Sequence, residues 1–175
     1  MDFSSSPFKK HLVLPLLLTI LIIPTLAWAE IIDRVVAYVD DHAITLYDLK
    51  EARKDYKKNN IDIDDKKLIE SIINKTLLYK EAKKMRLEAS EGKDPINEYI
   101  DIKIRSLIFV KEEDIQRFYN ENKDRFLEMP LSFAKDKIEQ YLIEREVNNQ
   151  LKRHIQDLRQ RSNIVINVDP STSLE

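Results

Sequence analysis

The 175-residue chain has no cysteine, one glycine and one tryptophan. Without cysteine there is no disulfide framework, no thiol nucleophile, no thiolate metal site and no lipid-attachment thiol. A single glycine (Gly92) is far below the usual ~7% and excludes glycine-rich phosphate loops. It also argues against a turn-rich all-β fold. Histidine is scarce, with His11, His42 and His154 too scattered to suggest a ligand pair. His42 falls in a turn and is expected to be solvated. His154 follows Lys152 and Arg153 late in a helical segment, where a cation suits the helix dipole. The acids are interleaved with Lys and Arg at helical spacing, as on solvated faces, and no motif gives a Ser or Thr nucleophile a base. No cofactor, metal site or catalytic residue is expected, and the mixed charge makes no case for nucleic acid.

What is present begins with a leader pattern. Lys9 and Lys10 form a basic patch, Leu12 to Ile23 an apolar run, and Ala27-Trp28-Ala29 a small-residue exit. Residues 1–29 are therefore read as a signal peptide cleaved between Ala29 and Glu30. Pro15 and Pro24 interrupt and end the apolar run, which is shorter than the ~20 residues of a spanning helix, so no stable membrane anchor is expected. Removing 29 of 175 residues leaves 146, the size of one domain. Lys9, Lys10 and Asp2 leave with the leader, which takes the net charge from −2 to −3. Export out of the cytoplasm is expected.

The next segment is rich in β-branched residues. It predicts a strand at Arg34 to Val39, a turn at Asp40-Asp41-His42 and a return strand at Ala43-Ile44. Thr45 and Asp48 then form a capping box for a helix. A second helix carries an apolar stripe of Leu68, Ile69, Ile72, Ile73, Leu77, Tyr79 and Met85. It has acids at Asp64 or Asp65 to open it and Lys83, Lys84 and Arg86 to close it. After a break at "ASEGKDP", Asp94-Pro95 starts a third helix with Ile96, Tyr99, Ile100, Ile104, Leu107 and Ile108 on one side. A short helix follows, turning Ile115, Phe118 and Tyr119 inward.

Ser132 is expected to cap the longest helix. Its stripe of Ile138, Tyr141 and Leu142 changes phase before Val147, Leu151, Ile155 and Leu158. The two halves should therefore face different neighbours, and the break leaves open a swapped homodimer. A final strand at Ile164 to Val168 needs a partner, which the N-terminal hairpin can supply. The fold expected is mainly α, with a small antiparallel sheet formed by the N-terminal hairpin and the C-terminal strand.

Four stretches in order resemble one family: "IIDRVVAYVDDHAITLYDLK", "LIESIINKTLLYKEAKKMRL", "VKEEDIQRFYNENKDRF" and "KDKIEQYLIEREVNNQLKRHIQDLRQRSNIVIN". The chain is similar across residues 30–168 to the N-terminal domain of SurA-type periplasmic chaperones, with an N-terminal part at 30–126, a closing helix and strand at 132–168, and a polar tail at 169–175. Lys111 departs from the Thr or Ser cap such chains carry. The larger departure lies between Phe126 and Ser132, where the family usually carries a parvulin prolyl isomerase domain and this chain has only "LEMPL".

The resemblance implies an ATP-independent chaperone that keeps unfolded exported polypeptides, outer-membrane proteins in particular, competent to fold. The competing functions are a peptidyl-prolyl cis/trans isomerase and an adaptor dedicated to one exported partner. Helix-borne aromatic and Met side chains suit a groove for loosely specified apolar segments. The candidate client contacts are Tyr79, Met85, Tyr99, Phe109, Tyr119 and Tyr141.

Overall fold

A computed structural model describes residues 34–87, 92–127 and 129–167. The leader with its Ala29/Glu30 cleavage point, Ile31 and Ile32, the first part of the break (residues 89–91), and Val168 with the polar tail lie outside the described residues.

The chain opens with strands β1 (Val35–Val39) and β2 (His42–Thr45), joined by a tight turn at Asp40 and Asp41. Helices α1 (Leu46–Lys58), α2 (Asp65–Lys84) and α3 (Pro95–Lys103) follow, then α4 (Glu112–Glu121), α5 (Leu131–Arg161) and strand β3 (Ile164–Ile166). Short 3-10 turns at Arg105–Leu107 and Lys123–Phe126 flank α4. The sheet has the order β2-β1-β3 and is antiparallel throughout, with Val39 opposite His42 on one side and Ile164 on the other. The expected mainly α fold with a sheet joining both ends of the domain is the fold observed.

The starts of α1 to α3 form as their residue types dictate. Thr45 Oγ1 accepts from the Asp48 N–H at 3.3 Å while the Asp48 carboxylate accepts from the Thr45 N–H at 2.8 Å. Asp64 caps α2 by accepting from the Lys67 N–H at 2.8 Å. Asp94 accepts from the Ile96 N–H at 3.0 Å, with Pro95 at the first helical position. Lys111 makes no side-chain cap for α4, and Glu112, Glu113 and Asp114 in the first turn complement the positive end of the helix dipole instead.

Two hydrophobic clusters hold the domain. The larger unites Val36, Val39 and Ile44 of the sheet with Leu49, six residues of α2, Ile96 and Tyr99 of α3, and Leu158 near the end of α5. The smaller joins Ile115 of α4 to Ala134, Ile138 and Leu142 of α5, with Phe118 and Phe126 packed against it. Helix α5, about 46 Å long at 1.5 Å per residue, belongs to both. Its change of phase falls between them, as the sequence requires. There Glu144 holds Arg105, which also bonds Asp101 of α3.

The structure corrects several expectations. Ser132 does not cap α5; Pro130 occupies the cap position, with no side-chain cap bond, and Ser132 lies inside the first turn. Leu107 is exposed because α3 ends at Lys103 and the chain turns before reaching it. Arg86 lies beyond α2 with φ 59°, and Tyr79 stands off the buried stripe, where Leu78 and Ala82 take its place. His154 does not stand free near the end of α5: its Nε2 lies 2.7 Å from the Tyr99 hydroxyl.

Candidate functional site

The six candidate contacts do not share one surface. Tyr99 is 2% exposed, and its ring lies 5.8 Å from that of His154. Burial raises the Tyr99 phenol above its ordinary value, and the negative charge of Glu81 adds to this. Met85 closes α2, with its N–H on the carbonyls of Ala82 and Glu81, and packs against the same large core. These two residues build the scaffold in this conformation.

Tyr119 and Tyr141 belong to an aromatic group on the smaller cluster. Phe118 packs edge-on against Phe126 at 6.5 Å and tilted against Tyr141 at 5.1 Å, while Tyr119 lies 5.2 Å from Phe126. The Arg145 guanidinium is 5.9 Å from both the Phe118 and Tyr141 ring centres, within cation–π range. Phe109 shares a cleft with Phe118, Leu142 and Arg145 and is itself 83% exposed. Tyr79 is elsewhere, in a groove of about 710 Å³ beside α2.

Several exposed apolar side chains were not among the candidates, and four of them lie just before or just after α4. Leu127 is 88% exposed, Phe133 75% and Leu107 74%, and Met129 is exposed as well. Phe133 was detectable in the sequence, since Ala134, Ile138 and Leu142 step by four along α5 and Phe133 falls off that ridge. Leu127 and Met129 belong to the join between α4 and α5. The chain turns there through Leu127 in the left-handed region at φ 43°, closed by the Met129 N–H on the Phe126 carbonyl at 2.7 Å. The Tyr119 hydroxyl donates to the Met129 carbonyl, also at 2.7 Å.

The charged groups serve structure more visibly than chemistry. Lys80 reaches from α2 to both acids of the β1–β2 turn, at 2.8 Å from Asp40 and 2.9 Å from Asp41. Lys80 lowers both carboxyls below their usual value, and at Asp40 a backbone bond from Asn163 adds to this. Lys135 of α5 pairs with Glu112 of α4 at 2.6 Å. Among the described residues no group of three or more His, Cys, Asp or Glu side chains comes together as a metal site, and no helix is long and apolar enough to cross a membrane. His42 is exposed at the head of β2.

No protein-family model, characterised protein or solved structure matches the chain.

Proposed function

We propose that the chain is an ATP-independent periplasmic chaperone that binds unfolded exported polypeptides, outer-membrane proteins foremost, and keeps them competent to fold. The observation that carries this is the set of large apolar side chains left in solvent around the α4–α5 cluster: Leu107, Phe109, Leu127 and Phe133. None of them belongs to either buried cluster. Leu127 breaks two local rules at once, being a bulky aliphatic residue both exposed and at positive φ. Such side chains can cover apolar segments of a client, while the charged faces of the helices keep the complex soluble.

The order of the SurA-like sequence stretches supports the same function. Binding without turnover needs no catalytic group, and the isomerase alternative has only Leu127 to Leu131 in which to seat a domain between Phe126 and Ser132. Client contacts centre on Phe109, Tyr119 and Tyr141 together with Leu127 and Phe133, and Tyr79 serves a separate groove.

The test dilutes a urea-unfolded outer-membrane β-barrel protein into buffer with and without the purified protein and follows light scattering. A proline-isomerisation assay runs beside it. Suppressed aggregation without isomerase activity is expected, weakened by the combined Leu127→Asn and Phe133→Ser substitutions. A well-folded protein that protects no unrelated client would overturn the proposal in favour of a single-partner adaptor.

A further inference from the structure

The groove beside α2 has an apolar floor and an unequal charged rim. Ile72 and Tyr79 of α2 face Pro95 and Ile96 at the start of α3. The acids on its edge are already engaged: Asp41 is held by Lys80, and Asp94 accepts the Ile96 N–H. Lys84 pairs with Glu81 at 2.5 Å. Lys75 and Lys83 also line the groove, are exposed, and have no hydrogen-bond or ion-pair partner among the described residues.

These two lysines stand four residues before and four after Tyr79 in one continuous helix, so the three side chains form a single ridge. Eight residues of α-helix separate the lysine Cα atoms by about 12 Å. In an extended chain, residues i, i+2 and i+4 point to one side, and the outer two are about 13 Å apart. The two spacings match. We propose that this groove takes an extended polypeptide segment with two acidic residues four apart and an apolar or aromatic residue midway. The outer carboxylates meet Lys75 and Lys83, and the central side chain lies on Tyr79 and the apolar floor.

A membrane surface fits less well. The unpaired cations form a spaced pair in line along one helix rather than a broad basic face. The proposal rests on the chaperone function only in taking the segment to be part of an unfolded client. The groove's chemistry stands apart from that function.

The test is fluorescence anisotropy on the purified protein with labelled peptides built on Asp-Ser-Phe-Ser-Asp, Asp-Asp-Phe-Ser-Ser and Lys-Ser-Phe-Ser-Lys. The first should bind tightest at low salt, by roughly fivefold or more, with the preference collapsing near ~0.5 M salt where charges more than a few ångströms apart are screened. The combined K75Q and K83Q substitutions should remove the preference, and Y79A should weaken all three peptides. All three positions are exposed, so circular dichroism should stay unchanged.

Equal binding of the peptides, or a preference that survives K75Q with K83Q, would overturn the proposal. So would lysine-dependent binding to phosphatidylglycerol vesicles without any peptide preference. The client-aggregation assay run on the same proteins separates the two claims. Protection without peptide preference removes the groove and leaves the chaperone; preference without protection does the reverse.

Discussion

Asp40 and Asn163, 123 residues apart in the chain, exchange two backbone-directed hydrogen bonds at 2.7 Å. The Asp40 N–H donates to the Asn163 carbonyl, and the Asn163 N–H donates to the Asp40 carboxylate, whose other oxygen receives Lys80 of α2. One side chain in the first hairpin thus fixes the point where α5 hands over to β3. Its backbone is left-handed at φ 55°, a conformation that Asp and Asn tolerate better than most residues.

Asp40→Ala should therefore lower stability by about 1–2 kcal/mol, through lost hydrogen bonds and the cost of Ala at positive φ. Asp40→Asn can keep the left-handed turn and the bond from Asn163 while losing the charge for Lys80, so it should cost well under half as much. Urea denaturation of both variants measures the ratio; equal losses would show that the turn conformation contributes nothing.

The same carboxyl gives a pH dependence. The hydrogen bond from Lys80, then that from Asn163, holds the Asp40 pKa below its ordinary 3.8 in the folded protein. A depressed folded-state value stabilises above the unfolded value, and that contribution is lost as pH falls through the folded one. The lysine-paired Asp41 acts in the same direction. Chemical denaturation from pH 6 to about 2.5 should show acid destabilisation that is shallower in Asp40→Asn, because that variant has no proton to take up at this site. Parallel curves for the two proteins would exclude Asp40 as a contributor.

Tyr99 and His154 join α3 to the second half of α5 through a 2.7 Å contact between hydroxyl and imidazole. Tyr99→Phe keeps the buried ring and loses only this bond, so a cost of about 1 kcal/mol is expected. Tyr99→Ala also empties the core beside Ile96 and Leu158 and should cost about 3–5 kcal/mol. A double-mutant cycle with His154→Ala checks the assignment, since the Phe effect should vanish once the imidazole is gone.

At the α4–α5 join the hydroxyl that matters is on Tyr119. Ser132 makes no capping bond, so Ser132→Ala should change stability by less than about 0.5 kcal/mol. Tyr119→Phe removes the donor to the Met129 carbonyl and should cost about 0.5–1.5 kcal/mol. Leu127→Asn should instead stabilise by several tenths of a kcal/mol, because Asn accepts positive φ more readily and leaves no exposed aliphatic side chain. Thermal melts of the three variants test the order.

Features governed by neighbours three or four residues away were legible in the sequence. The Thr45–Asp48 box, the helix start at Asp94, an acid opening α2, the part of its buried ridge at Leu68, Ile69, Ile73 and Leu77, and the phase change in α5 all arise from local backbone geometry. The pairing of β3 with β1 followed from a further necessity, that an apolar strand and a lone hairpin must bury one another. Phe133 apart, tertiary structure decided which of these apolar residues stay outside. Tyr99 and Tyr79 look alike in a helical pattern, yet one meets His154 in the core while the other stands over an open groove. Leu107 and Leu127 are exposed because the chain turns just before the first and at the second. Burial depends on what packs across from a residue, and elements far away in the chain supply that surface.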